Sequence, residues 1–254
     1  LLFAAMLEQG ELLPQMLIAD IPTQYGGYSP ENFDREYRGA VAADVALAQS
    51  LNVPAVRLLR RYGVERFYDL LADAGMTTLS RPAADYGLTL VLGGAEGTLW
   101  DATSMYANLA DTARGQVTDG ATPRRQVHVL RADNELAQPI AQPPAPTNRA
   151  NRIGPGAAWL TLNALLEVTR PGEEGHWRNF ASTHKLAWKT GTSWGLRDAW
   201  AIGTNDRYTI GVWVGNATGE GRPGLTGSSA AAPLMFSLVA RLEPGGWFAP
   251  PYNA

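Results

Sequence analysis

Two short polar stretches in this sequence carry residue types that could form part of a reaction centre. One is Lys189-Thr190-Gly191-Thr192, inside the run "WKTGTSWG". In an extended strand Lys189 and Gly191 face one side and Thr190 and Thr192 the other, because side chains alternate with a period of two. A lysine among apolar neighbours holds its charge close to a pocket. Threonine hydroxyls can donate to a substrate carboxylate, and a glycine removes the side chain that would block a ligand lying along the strand. The plainer alternative is a strand end with a solvated lysine and a turn glycine. The second stretch is Ser50-Leu51-Asn52. In a non-helical turn, residues i and i+2 share a side, so a hydroxyl and a carboxamide would face one cleft. Taken alone, the pair also suits helix capping, since Ser and Asn are favoured ahead of a segment like "VPAVRLL".

Such residues work only if larger elements hold them. The chain has 254 residues, enough for one large domain or two small lobes. With 45% apolar and 18% charged residues it can bury a core and is too apolar for disorder. A net charge of −3 gives no electrostatic footprint for nucleic acid. The absence of cysteine excludes disulfides, thiolate metal sites and cysteine nucleophiles. His128, His176 and His184 are scattered without an H-x-x-x-H pair, so neither a metal nor a cofactor is expected. No apolar run reaches the roughly 18 residues that span a bilayer, and no signal segment opens the chain. Its first residue is a leucine, and "LLFAAMLEQ" begins inside a helical pattern with no capping residue in front. The expectation is a piece of a longer protein.

Along the chain, residues 1–9 are predicted as the rear of a buried helix, 24–39 as an ordered Gly/Pro/Asn/Tyr loop, and 41–49 as a short amphipathic helix. Pro54 suits the first turn of the next helix. Val64, Phe67, Tyr68 and Leu71 recur at helical spacing, and Gly75 stops that helix. Further helices are predicted over 98–111 and 156–168, a possible strand over 126–131, and a Pro-rich loop over 139–146. "KLAWKTGTS", "DAWAIGTN" and "RYTIGVWVG" are three apolar, aromatic and β-branched runs separated by short polar turns, read as strands. "SSAAAPLMFSLVARL" closes the chain as a helix. The fold class is therefore α+β: residues 1–170 mostly helical, then 171–254 as a small antiparallel sheet with a terminal helix.

Ser-x-Asn followed far downstream by Lys-Thr-Gly is two-thirds of a signature shared by serine β-lactamases and penicillin-binding proteins. With "ALAQSLNVPAVRLL", "LGGAEGTLWDATSMYANLA" and "AWKTGTSWGLRDAWAIG", the chain resembles the transpeptidase domain of class A, bifunctional penicillin-binding proteins over nearly its whole length. The "YGGYSPENFDREYRG" loop and the "KTGTSWGLRDAWAIG" block most resemble the 1C type. The remaining third of the signature is Ser-x-x-Lys at the start of a helix. That spacing puts both residues on one helical face, so the lysine can take the serine proton.

Only Ser182-Thr183-His184-Lys185 matches that spacing here. It leads straight into the Lys189 strand, where residues three apart face opposite sides, so Ser182 is not the expected nucleophile. In the resembled family the Ser-x-x-Lys lies immediately before a segment like "LLFAAMLEQGELLP". The resemblance thus implies that the nucleophile and its lysine precede Leu1, together with two strands of a five-stranded sheet and a helix. A polypeptide limited to residues 1–254 is then expected to be inactive and poorly stable, with an unpaired sheet edge.

For the intact protein the resemblance implies a peptidoglycan D,D-transpeptidase that cross-links stem peptides and is acylated by β-lactams. Ser50 would relay a proton to the leaving amine, positioned by Lys189. Asn52 would bind the substrate amide, Thr190 and Thr192 the terminal carboxylate, and Gly191 would leave room for the peptide. It also implies a membrane anchor upstream, at the periplasmic face of the bacterial inner membrane. A serine β-lactamase would need an E-x-x-L-N loop to orient its water. Glu65, Glu96 and Glu167 sit in other contexts. The other alternative is a non-catalytic, peptide- or β-lactam-binding pseudoenzyme. Trp194, Trp200 and Trp213 are read mostly as core and sheet packing, and Arg197-Asp198 as a hairpin turn with a surface ion pair.

Overall fold

The structure, a computed structural model, describes residues 1–115, 153–168 and 185–251. The predicted strand over 126–131, the loop over 139–146, and Ser182 with the three histidines lie outside them. In chain order the elements are helix α1 (Leu2–Glu8), strands β1 (Leu17–Asp20) and β2 (Gly39–Ala42), then helices α2 (Ala43–Ala48), α3 (Asn52–Tyr62), α4 (Val64–Asp73), α5 (Ala83–Tyr86), α6 (Leu99–Ala113) and α7 (Pro155–Leu166). Strands β3 (Ala187–Thr192), β4 (Asp198–Thr204) and β5 (Thr209–Gly215), a one-turn π-helix (Gly227–Ala231) and helix α8 (Ala232–Val239) follow, and a 3-10 helix (Gly87–Leu92) lies between α5 and α6. Among the described residues no helix is long and apolar enough to cross a membrane.

The three predicted C-terminal strands form one antiparallel sheet in the order β3-β4-β5, with Lys189 opposite Ile202 and Gly191 opposite Trp200. Among the described residues β3 is paired on one side only, so its other edge can take an extended ligand. Two findings depart from the sequence reading. An antiparallel β1-β2 ribbon, Leu17 opposite Ala42 and Asp20 opposite Gly39, sits inside the helical part. The helix expected from residue 41 therefore starts at Ala43.

Apolar side chains gather in two clusters. The first lies under the sheet, where Trp188, Leu162, Leu165, Leu186 and Met235 from α7, α8 and β3 or its approach pack together. Trp188 is fully buried, meets Phe236 edge-on at a centroid distance of 5.0 Å, and donates its indole N–H to Val168 O at 3.1 Å. The second joins α1, α3 and α4 through Phe3, Met6, Leu59, Tyr62 and Leu70. Helix α1 contributes Ala4 to the first and its neighbours Phe3 and Ala5 to the second, and Leu47 of α2 packs against both. The end of α2 therefore lies where the two cores meet.

Candidate active site

Ser50 enters the site through the way α2 stops. The Ser50 N–H donates to Leu47 O at 3.1 Å and the Leu51 N–H to Ala46 O at 3.0 Å. This pair of bonds closes a helix around a residue in the left-handed region, a place usually given to glycine. Helices α1 and α4 end with the same bonds, and there the residues are Gly10 at φ +68° and Gly75 at φ +97°. In α2 the residue is Ser50, at φ +58°. A Cβ in that region costs about 1–2 kcal/mol, so strain sits on the one residue of the turn with a hydroxyl. The next residue, Leu51, already serves as the N-cap of α3 but has no side-chain oxygen to cap it. Ser50 and Asn52 do not cap α3 either. The capping alternative is thus set aside for this pair.

From strand β3, the Lys189 Nζ donates to Ser50 Oγ at 2.6 Å and to Thr190 O at 3.1 Å. Burial disfavours its charged form and brings the amine down to about 8. At neutral pH the ammonium is a donor only. It occupies a lone pair of Oγ and leaves the Ser50 proton free to be given away.

The remaining sequence-predicted residues flank this pair. Asn52 is the first residue of α3, and its Nδ2 donates to Glu31 O at 2.8 Å. Thr192 Oγ1 accepts the Gly227 N–H at 3.0 Å, which leaves the Thr192 proton for a ligand. Thr190 faces the same turn: a methyl on Gly227 would come within 2.8 Å of Thr190 Cβ. A methyl on Gly191 would meet Trp200 Cβ at 3.4 Å. The protein's own packing therefore does not demand glycine there.

Of the tryptophans, Trp194 at the tip of the β3-β4 turn is 89% exposed and is not core. Trp213 is half-exposed and donates its indole N–H to Asp198 Oδ1 at 2.9 Å. Asp198 is thus engaged by Trp213, and no ion pair joins it to Arg197. Sequence reading missed three groups behind Asn52: Glu31, Asn32 and the buried Asp20. The only signal for them is their place in the loop over 24–39 and at its entry.

No protein-family model matches the chain. Among curated proteins it is 33% identical over 233 residues to penicillin-binding protein 1C of Escherichia coli, a match over 92% of this chain and 27% of that protein. It is 29% identical over 205 residues to penicillin-binding protein 1B of Vibrio cholerae, over 80% of this chain and 24% of that one. The chain thus spans about a quarter of the length of these relatives. Among solved structures it is similar to a penicillin-binding protein from Mycobacterium tuberculosis solved in complex with penicillin V, with a TM-score of 0.68 at 20% identity over 100% of this chain and 73% of that one. It is also similar to the D,D-transpeptidase domain of a peptidoglycan glycosyltransferase from Eggerthella lenta, with a TM-score of 0.64 at 16% identity over 94% and 63%. The chain belongs to the class A penicillin-binding protein family, and the part of that family it carries is the transpeptidase fold.

Proposed function

We propose that this chain forms the Ser-x-Asn and Lys-Thr-Gly walls of a peptidoglycan D,D-transpeptidase cleft. The observation that carries this reading is the 2.6 Å contact from Lys189 Nζ to Ser50 Oγ, across 139 positions of sequence. The nucleophile is a serine of a Ser-x-x-Lys pair outside residues 1–254. It attacks the carbonyl of the D-Ala–D-Ala amide and loses its proton to its own lysine. The C–N bond breaks, an ester forms on the serine, and Ser50 gives its proton to the leaving amine while Lys189 holds the hydroxyl in place. An amine from a neighbouring stem peptide then attacks the ester. The serine C–O bond breaks, the serine regains its proton from its own lysine, Ser50 takes back a proton from the attacking amine, and an amide cross-link remains.

Asn52 holds the substrate amide, and Thr190 and Thr192 hold its terminal carboxylate. The Thr192 backbone N–H is one donor to the tetrahedral oxyanion, a contact whose removal typically costs about 2.7–4 kcal/mol of barrier. The substrate lies along the open edge of β3, beside Gly191. β-Lactams enter the same cleft and leave a stable acyl-enzyme. The natural protein works at the periplasmic face of the inner membrane, held by an anchor upstream of Leu1.

The test is release of D-alanine from a model peptide ending in D-Ala–D-Ala by the full-length protein. The natural protein is expected to release it, and Ser50→Ala to slow release at least about 100-fold, on the scale of a lost general acid. Equal release by both proteins, or reversible binding without release, would contradict the reading. The second outcome is the pseudoenzyme.

A further inference from the structure

Asn52 does not stand free at the mouth of the cleft; it is held from behind. Its Nδ2 gives one proton to Glu31 O at 2.8 Å. The next residue of the chain, Asn32, accepts the Val53 N–H on its Oδ1 at 3.2 Å. Two consecutive residues of one loop therefore grip two consecutive residues at the start of α3. Asn32 supplies the cap that Leu51 cannot, from 21 positions away.

Asn32 is itself fixed. Its Nδ2 donates to Asp20 Oδ1 at 2.8 Å, with Oδ2 at 3.1 Å, and to Glu36 O at 2.8 Å. Asp20, fully buried at the end of β1, also accepts the Arg38 N–H at 3.0 Å. The partners leave no freedom in the amide. Carboxylate and carbonyl oxygens only accept, and the Val53 N–H only donates, so the nitrogen faces Asp20 and Glu36 and the oxygen faces α3. An aspartate could not donate to Asp20, and a glutamine would overshoot by one methylene. A buried carboxylate with neutral partners is costly unless every hydrogen bond is made. Such a device needs a reason, and the reason lies at its far end.

We propose that Asp20 and Asn32 are positioning residues for the Ser-x-Asn wall: they lock the Glu31 carbonyl and the first turn of α3, and so aim the Asn52 carboxamide at the substrate amide. With one Nδ2 proton given to Glu31, Asn52 keeps its Oδ1 and its second proton for the ligand. The proposal rests on the transpeptidase reading and deepens it. It makes a prediction that a merely structural role does not: the loss must depend on whether the ligand has an amide for Asn52 to hold.

The experiment compares acylation of the full-length protein by two β-lactams, penicillin V with its acylamino side chain and 6-aminopenicillanic acid without one. Asn32→Ala is expected to slow acylation by penicillin V by about tenfold or more, the scale of one well-made hydrogen bond, with little change for 6-aminopenicillanic acid. Asn52→Ala should show the same selective loss, and adding Asn32→Ala to it should cost nothing further. Asn32→Asp sets two carboxylates face to face and should be worse than Asn32→Ala. Adding Asp20→Asn to it restores a donor–acceptor pair and should recover part of the penicillin V rate. Equal losses for both ligands, or additive losses in the Asn32→Ala/Asn52→Ala protein, would overturn the positioning role and leave the transpeptidase reading standing. No acylation of the natural protein by either ligand would overturn both.

Discussion

Ser50 shows at the scale of one residue how this site is built. It takes the left-handed conformation that Gly10 and Gly75 take where α1 and α4 stop, and it gains a hydroxyl 2.6 Å from Lys189. Strain and contact can be separated by substitution. Ser50→Ala and Ser50→Gly both lose the hydroxyl, but only glycine relieves the backbone. Ser50→Gly is therefore expected to be the more stable of the two by about 1 kcal/mol, read from denaturation midpoints, with both equally poor in acylation. Lys189 gives a second test. Its amine, lowered to about 8 by burial, is charged below that pH and neutral above it. The charged form can only donate to Ser50 Oγ and leaves its proton free, whereas the neutral amine can take that hydrogen bond itself, so acylation should decline as pH rises through about 8. Arginine stays charged throughout this range, so Lys189→Arg, however slow, should lack that decline, as stopped-flow rates from pH 6 to 10 would reveal. Ser50 and Asn52 were legible because they stand two residues apart, and Lys189 because it opens the Lys-Thr-Gly run; that the two runs meet was not local information. The strain on Ser50 was not, since nothing in "AQSLNV" distinguishes a serine at a glycine place from a helix cap.

Among the elements, β3 and the turn at Gly227–Ala231 form one unit. The Gly227 N–H holds Thr192, and a methyl on Gly227 would lie 2.5 Å from Trp200 O and 2.6 Å from Gly191 O. Backbone atoms cannot step aside as a flexible side chain can, so Gly227→Ala should push the turn off β3. The expected cost is about 1–3 kcal/mol in chemical denaturation of the full-length protein, together with slower acylation as Thr192 loses its partner. The strands β3, β4 and β5 were readable because each is a run of β-branched and aromatic residues between polar turns. The ribbon of β1 and β2 was not. "LIAD" and "GAVA" are four residues each, too short to show alternation, and Val41 and Val45 fall at the i, i+4 spacing of a helix. Asn32 was out of reach for another reason. A cap supplied from 21 positions away leaves no periodic trace, and "SPENFD" reads as an ordinary polar loop.

The whole molecule is two apolar clusters with the reacting groups at their meeting place. The sheet cluster positions Lys189 through Trp188, and the helical cluster positions Ser50 and Asn52 through α2 and α3. Neither alone brings a hydroxyl to a lysine. Residues 1–254 contain a single Ser-x-x-Lys, Ser182 to Lys185, and the proposed nucleophile is not that serine. Mapping the covalent penicillin adduct by peptide mass spectrometry tests this most directly, in the full-length protein and in residues 1–254 alone. One adduct is expected in the full-length protein, on a serine of a Ser-x-x-Lys preceding Leu1, and none on residues 1–254. An adduct on Ser182 or any other residue of this chain, or no adduct in the full-length protein, would contradict it.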